Sequence, residues 1–151
     1  MNFKFNSKLI LTCLTVLPLI LFCLQPVCAA DDSDGNIVVI VNNNAPEKDL
    51  SKERIKQIYT GKVTLWSSNE TIILCVLKDD EIHNAFLKQY VQRNATQFKN
   101  TWRQMIFTGK GEKPKSFDSI EKLIQFISDN RLAVGYITDK AIDPNVKIIV
   151  P

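Results

Sequence analysis

Two rhythms of apolar residues run along the chain. Ile37-Val38-Val39-Ile40-Val41 is an unbroken β-branched run, and Thr71 to Leu77 carries an unbroken apolar one, Ile72-Ile73-Leu74-Cys75-Val76-Leu77. Leu132 to Ile137 and Val146 to Val150 read as two further strands. Runs of this kind predict strands covered on both faces, as in a parallel sheet lined by helices, rather than alternating strands with one wet face. Elsewhere the apolar residues recur every three or four positions. Ile55, Ile58 and Tyr59 share one predicted helix, and Ile82, Ala85, Phe86 and Tyr90 a second. A third, from about Thr96, puts Phe98, Trp102, Met105 and Ile106 on one core-facing side, and a fourth carries Ile120, Leu123, Ile124 and Ile127.

The polar residues between these segments act as starts and stops. Ser51 can cap the first helix, with Leu50 and Ile55 stapling its entry, and Gly61 ends it. Asp79-Asp80 opens the second helix, and Asp118 with Glu121 reads as a capping box before the fourth. Ser67 to Glu70 forms a turn, Thr108 to Lys115 a Gly/Lys/Pro loop, and the stretch around Ala141 and Pro144 a turn or short helix. The order is βαβ, two further helices, then β and β. This predicts a layered α/β domain over residues 37–151, with helices against a mostly parallel sheet. At 151 residues the chain has the size of one domain, with no internal repeat or interdomain linker.

The first thirty residues have a different character. Lys4 and Lys8 precede an apolar stretch from Leu9 to Leu24, and Val27-Cys28-Ala29-Ala30 follows it. The run is short for a membrane span and is interrupted by Pro18, so residues 1–30 read as a cleaved secretory signal, which implies a periplasmic protein. Lipidation of Cys28 is the alternative, set against by Gln25-Pro26-Val27, which lacks the small residues of such a site. Asp31 to Asn36 is a polar, acidic leader, expected to be flexible.

Export changes the charge and cysteine balance. Removal of residues 1–30 takes two lysines and no acid, leaving 17 basic and 16 acidic residues, a net +1 instead of +3. A near-neutral domain has no electrostatic basis for nucleic-acid binding. Cys75 is the one cysteine left; an internal disulfide is then excluded, and a buried, inert thiol is expected in its apolar strand. His83 is the only histidine and reads as a helix-surface residue. No metal cluster, cofactor site or catalytic triad can be assembled around it, so a binding protein rather than an enzyme is expected. Asp79, Asp80 and Glu81 read as helix caps, and Trp66 and Trp102 as core. Gly61-Lys62 and Gly109-Lys110 lack the remaining residues of a nucleotide loop. Lys110, Lys113 and Lys115, with Thr108 and Ser116, form either a solvated loop or a cradle for an anion or for a partner's acidic surface.

Three segments resemble a known family. Leu50-Ser51 opens a helix that ends in Ile58-Tyr59-Thr60-Gly61-Lys62-Val63-Thr64-Leu65-Trp66, and Ala133-Val134-Gly135-Tyr136-Ile137 follows near the end. With Trp102 to Gly111, including Ile106-Phe107-Thr108-Gly109, they are similar to substrate-binding proteins of phosphate ABC transporters. The resemblance covers nearly all of residues 37–137. It implies one lobe of the type 2 periplasmic binding fold, in a short single-lobe form, and as partners phosphate or another small anion and an ABC transporter. It also implies that two copies could pair to rebuild a two-sided cleft. An envelope protein-interaction module without a small ligand is the alternative function. The family's anion loop reads Ser-Gly-Thr at a helix start, where free N–H groups hold phosphate. The matching segment here is Lys78-Asp79-Asp80-Glu81-Ile82-His83, whose carboxylates would repel an anion. The candidate ligand-binding residues are Lys78, Thr108, Gly109, Lys110 and Ser116, with no metal site.

Overall fold

The computed structural model describes residues 35–149; the expected signal segment, most of the leader and Val150 lie outside them. Five strands form one sheet: β1 (Ile37–Asn42), β2 (Ile73–Leu77), β3 (Lys115–Phe117), β4 (Ala133–Thr138) and β5 (Val146–Ile148). Their order is β3-β2-β4-β1-β5. β2 runs parallel to β3 and β4, while β1 is antiparallel to β4 and β5, so four strands point one way and β1 runs against them. The β1 run correctly marks a strand buried in the middle of the sheet, but burial on both faces does not fix direction.

The helices are α1 (Lys52–Tyr59), α2 (Asp80–Phe86), α3 (Ala95–Phe107) and α4 (Ile120–Asp129). α1 starts as predicted: Ser51 Oγ accepts from Arg54 N–H at 3.1 Å, and Leu50 and Ile55 are both buried. Past Thr60, Gly61 takes φ +72°, a left-handed turn, and a Cβ there would meet Met105 at 3.0 Å. α2 widens into one π-helical turn, Leu87–Val91, closed by left-handed Gln92. The wider turn lets Phe86, Leu87, Tyr90 and Val91 all face inward, whereas Ala85, predicted on the same face, is exposed. α3 begins at an Asn94–Gln97 capping box. Phe98 and Trp102 are buried, but Ile106 is 43% exposed because the helix runs past the edge of the core there.

Two predicted details shift. The cap of α4 is Ser119, whose Oγ accepts from Lys122 N–H, while Asp118 turns away to pair with Lys78. The predicted loop from Thr108 ends one residue earlier, because Lys115 opens a short edge strand, β3 (Lys115–Phe117), which the sequence did not mark.

The two faces of the sheet are covered separately, as the alternation of side chains along a strand requires. Gly135 faces α4, where Leu123 and Ile127 close over it; Tyr136 faces α1 and α2, where its ring stacks on Phe86 at 3.9 Å between centroids. Tyr59 meets Phe86 edge-on at 4.5 Å, and Trp102 of α3 donates to the Tyr59 carbonyl at 3.0 Å. Trp66 likewise donates to Leu132 O at 3.0 Å, so both tryptophans are core residues with satisfied N–H groups. Among the described residues no helix is long and apolar enough to cross a membrane.

Candidate functional site

The carboxyl ends of parallel strands, where helices begin, are the usual ligand crevice of an open α/β sheet. Here β2 and β3 end side by side, with Lys78 N–H donating to Phe117 O at 2.9 Å, and α2 and α4 start just beyond. Both helix starts are filled by the chain's own side chains. Asp79 Oδ1 accepts from Glu81 N–H and from Ile82 N–H, each at 3.0 Å, taking the two donors that an anion would use. Lys78 Nζ lies 2.5 Å from Asp118 Oδ1, and that lysine holds the Asp118 carboxyl below its usual range. The lysine nearest the crevice is therefore already neutralised, in an ion pair open to solvent.

Behind this rim sits a contact that the sequence did not reveal. Leu77 N–H donates to the Tyr136 hydroxyl at 3.1 Å, and His83 Nδ1 lies 2.5 Å from the same oxygen. His83 also meets the ring of Phe98 edge-on at 5.3 Å. It is half-buried rather than a helix-surface residue, because the start of α2 turns its side chain towards β4. Burial lowers its basicity, and Asp80 offsets this only in part. Burial likewise pushes the Tyr136 hydroxyl well above its ordinary range. The Gly-Tyr pair in the Ala133 to Ile137 segment was the one available signal. Pairing Tyr136 with His83 needs the three-dimensional register.

The five candidate ligand residues do not converge. Lys78 lies beyond the carboxyl end of β2. Gly109 and Lys110 line a groove at the other end of that strand, with Ile72, Ile73 and Leu74. The strand between them spans roughly 17 Å at about 3.3 Å per residue. Thr108 Oγ1 donates back to Gln104 O at 2.9 Å, closing the end of α3, and Ser116 lies exposed in β3, level with Val76. They make no common ligand cradle.

Cys75 is fully buried, and desolvation pushes its thiol up to about 12. Among the described residues, no group of three or more His, Cys, Asp or Glu is set to hold a metal ion.

Comparison with known proteins agrees with this architecture. A protein described as a phosphate ABC transporter substrate-binding protein of Clostridium perfringens, solved with bound phosphate, superposes with a TM-score of 0.63 at 25% identity. The match covers 77% of this chain and 45% of that one. An ABC-type phosphate transport receptor from Vibrio cholerae gives 0.52 at 17% identity, over 76% of this chain and 45% of the other. PstS from Borrelia burgdorferi gives 0.58 at 11%, over 77% and 47%. The chain thus spans less than half the length of these proteins, and the last two likenesses are of fold alone. No curated protein sequence matches it. A model of the PBP superfamily domain matches residues 34–145, and the chain belongs to that family.

Proposed function

We propose that the chain is an exported substrate-binding lobe serving phosphate uptake by an ABC transporter, in a binding rather than a catalytic role. Its family, and a fold neighbour that holds phosphate, support the role. The Lys-flanked apolar run ending in Ala29-Ala30 supports export to the periplasm, with Cys28 lipidation as the alternative route to the envelope. Protein recovered from the periplasm should lack about thirty residues by intact mass; full-length protein in the cytosol would rule export out.

One observation governs how such a lobe handles its ligand. Asp79 Oδ1 occupies both N–H donors at the start of α2. A phosphate entering there has to displace that carboxylate and face its charge. Two unit charges 4 Å apart repel by about 4 kcal/mol at an effective dielectric constant of about 20, a loss of roughly a thousandfold in affinity. Free phosphate is therefore held weakly by the lobe alone, and firm capture needs a second wall, from another copy or from the transporter.

The same cap favours a second reading, an envelope protein-interaction module that has given up small ligands. Calorimetric titration with phosphate separates the two. The protein should show no affinity tighter than about 0.1 mM. Asp79→Ser, which keeps a capping oxygen and removes the charge, should improve binding at least about tenfold. Heat in neither protein would favour the interaction module. Micromolar binding unchanged in Asp79→Ser would move the anion away from α2, and Lys110→Ala would then be the next variant to titrate.

A further inference from the structure

At the end of the sheet away from Lys78, a groove of about 350 Å³ runs between Val63–Leu65, the start of β2 and the Gly109–Lys113 loop. Its wall is apolar, built from Ile58, Val63, Ile72 and the ring of Trp102. Its rim is basic, with Lys110 and Lys113 exposed around a single acid, Glu112. Among the described residues, Lys110 and Lys113 take part in no ion pair, and Lys115 lies 5.4 Å from the Phe126 ring.

The surroundings are unusually apolar for a solvated loop. Leu65 on the groove wall is 41% exposed. Phe107, at the end of α3 and two residues before Gly109, is 90% exposed. An exposed large apolar side chain on the wall of a groove with a charged rim marks an interaction surface. The chemistry narrows the occupant. A small anion gains nothing from the apolar wall and would meet only solvent-exposed lysines. A wholly apolar ligand leaves the lysines unused. The surface fits a chain that carries carboxylates and an apolar side chain close together, with the groove desolvating the one and the rim pairing the others.

We propose that this groove docks an extended acidic segment of a partner protein, seating one large apolar side chain between Val63 and Trp102 and its carboxylates against Lys110 and Lys113. This does not depend on phosphate binding at the opposite end of the sheet.

The test uses isotope-labelled protein and a short synthetic peptide of Asp and Glu residues with one central Leu. Two control peptides replace the Leu by Ser, or the acids by Asn and Gln. The Leu-bearing acidic peptide should shift the amide signals of Val63 to Leu65, Ile72 and Gly109 to Lys113, together with the Trp102 indole N–H. Each control should bind at least about tenfold more weakly, as should the Leu-bearing peptide to Lys110→Glu/Lys113→Glu, whose exposed loop positions leave the fold intact. The proposal fails if no signals move, if they move only around Lys78 to Ile82, if the Ser peptide acts equally, or if inorganic phosphate reproduces the pattern. Concentration-dependent shifts of the same signals without peptide would assign the groove to a second copy and overturn the partner.

Discussion

The Tyr136 hydroxyl accepts from Leu77 N–H, so its own hydrogen is left for His83 Nδ1, 2.5 Å away. That arrangement needs Nδ1 unprotonated, and burial favours the same neutral form by lowering the histidine below its ordinary 6.5. Asp80 pulls in the opposite direction, more weakly. Because the folded value lies below the unfolded one, the unfolded chain takes up the proton first as the pH falls. The contribution of His83 is thus complete above the unfolded value and is lost as the pH drops through 6.5 towards the lowered folded value. Thermal midpoints of the wild type should fall more between about pH 7 and 5 than those of His83→Gln, which has no titrating ring. Parallel curves would mean that the histidine charges freely in the folded protein. The sequence showed that this was the only histidine, but not its partner, since Tyr136 is fifty-three residues away. Cys75 was easier, because an apolar run alone predicts a buried thiol, and it is buried.

At the level of elements, the meeting of α4 with β4 depends on the lack of a side chain at Gly135. A Cβ there would lie 2.7 Å from Ile127 Cδ1 and 3.2 Å from Leu123 Cδ2, too close for either to stay in position. Gly135→Ala should therefore destabilise by about 1–3 kcal/mol through overpacking. Ile127→Val removes the crowded Cδ1 atom and costs about 0.5–1.5 kcal/mol alone. In the double variant the new methyl group fills the space left, so the combined loss should fall short of the sum by at least about 0.5 kcal/mol. Strict additivity, read from denaturant midpoints, would show that α4 does not close on Gly135. Leu123→Ala, at a fully buried site of the same helix, should cost about 2–5 kcal/mol without that rescue.

The 3.6-residue repeat of Leu123 and Ile127 made α4 plain in the sequence, as unbroken apolar runs did for β1 and β2. What was missed has local causes. β3 offers one apolar residue, Phe117, in three, after a loop of Gly, Lys and Pro, so no period can form. The cap of α4 moved from Asp118 to Ser119 because Lys78, forty residues earlier, competes for the carboxylate. The exposure of Ile106 reflects where the sheet stops, which the helix's own pattern does not contain.

Across the whole molecule, the two ends of the sheet carry different chemistry. One gathers Asp79, Asp80, Glu81 and the Lys78–Asp118 pair, and the other Lys110 and Lys113 beside an apolar groove. The acidic helix start was legible as an obstacle to phosphate, and the structure supplies the atoms, Asp79 Oδ1 on two N–H groups. That Lys78 and Lys110 lie at opposite ends was not legible, since it follows from β2 running between them. The same division bears on what holds the fold together. Lys78–Asp118 and Arg131–Glu70 are largely exposed pairs, and Arg54–Glu47 is the most sheltered, with Glu47 Oε1 also accepting from Ser67 N–H at 2.9 Å. Exposed pairs contribute about 0–1 kcal/mol each and are screened by salt, whereas burying one Val, Leu, Ile or Phe side chain contributes about 1.5–3 kcal/mol and is not. The core joins residues from Ile37 to Ile149 in one apolar cluster, so the balance lies with burial. The unfolding midpoint should therefore change by no more than a few degrees between low salt and about 0.5 M sodium chloride, a shift worth about 1 kcal/mol. Acidic-peptide binding at the groove should weaken markedly over the same range, because it relies on unpaired lysines. A fold that lost several kcal/mol on adding salt would mean that the surface pairs, and not the core, carry its stability.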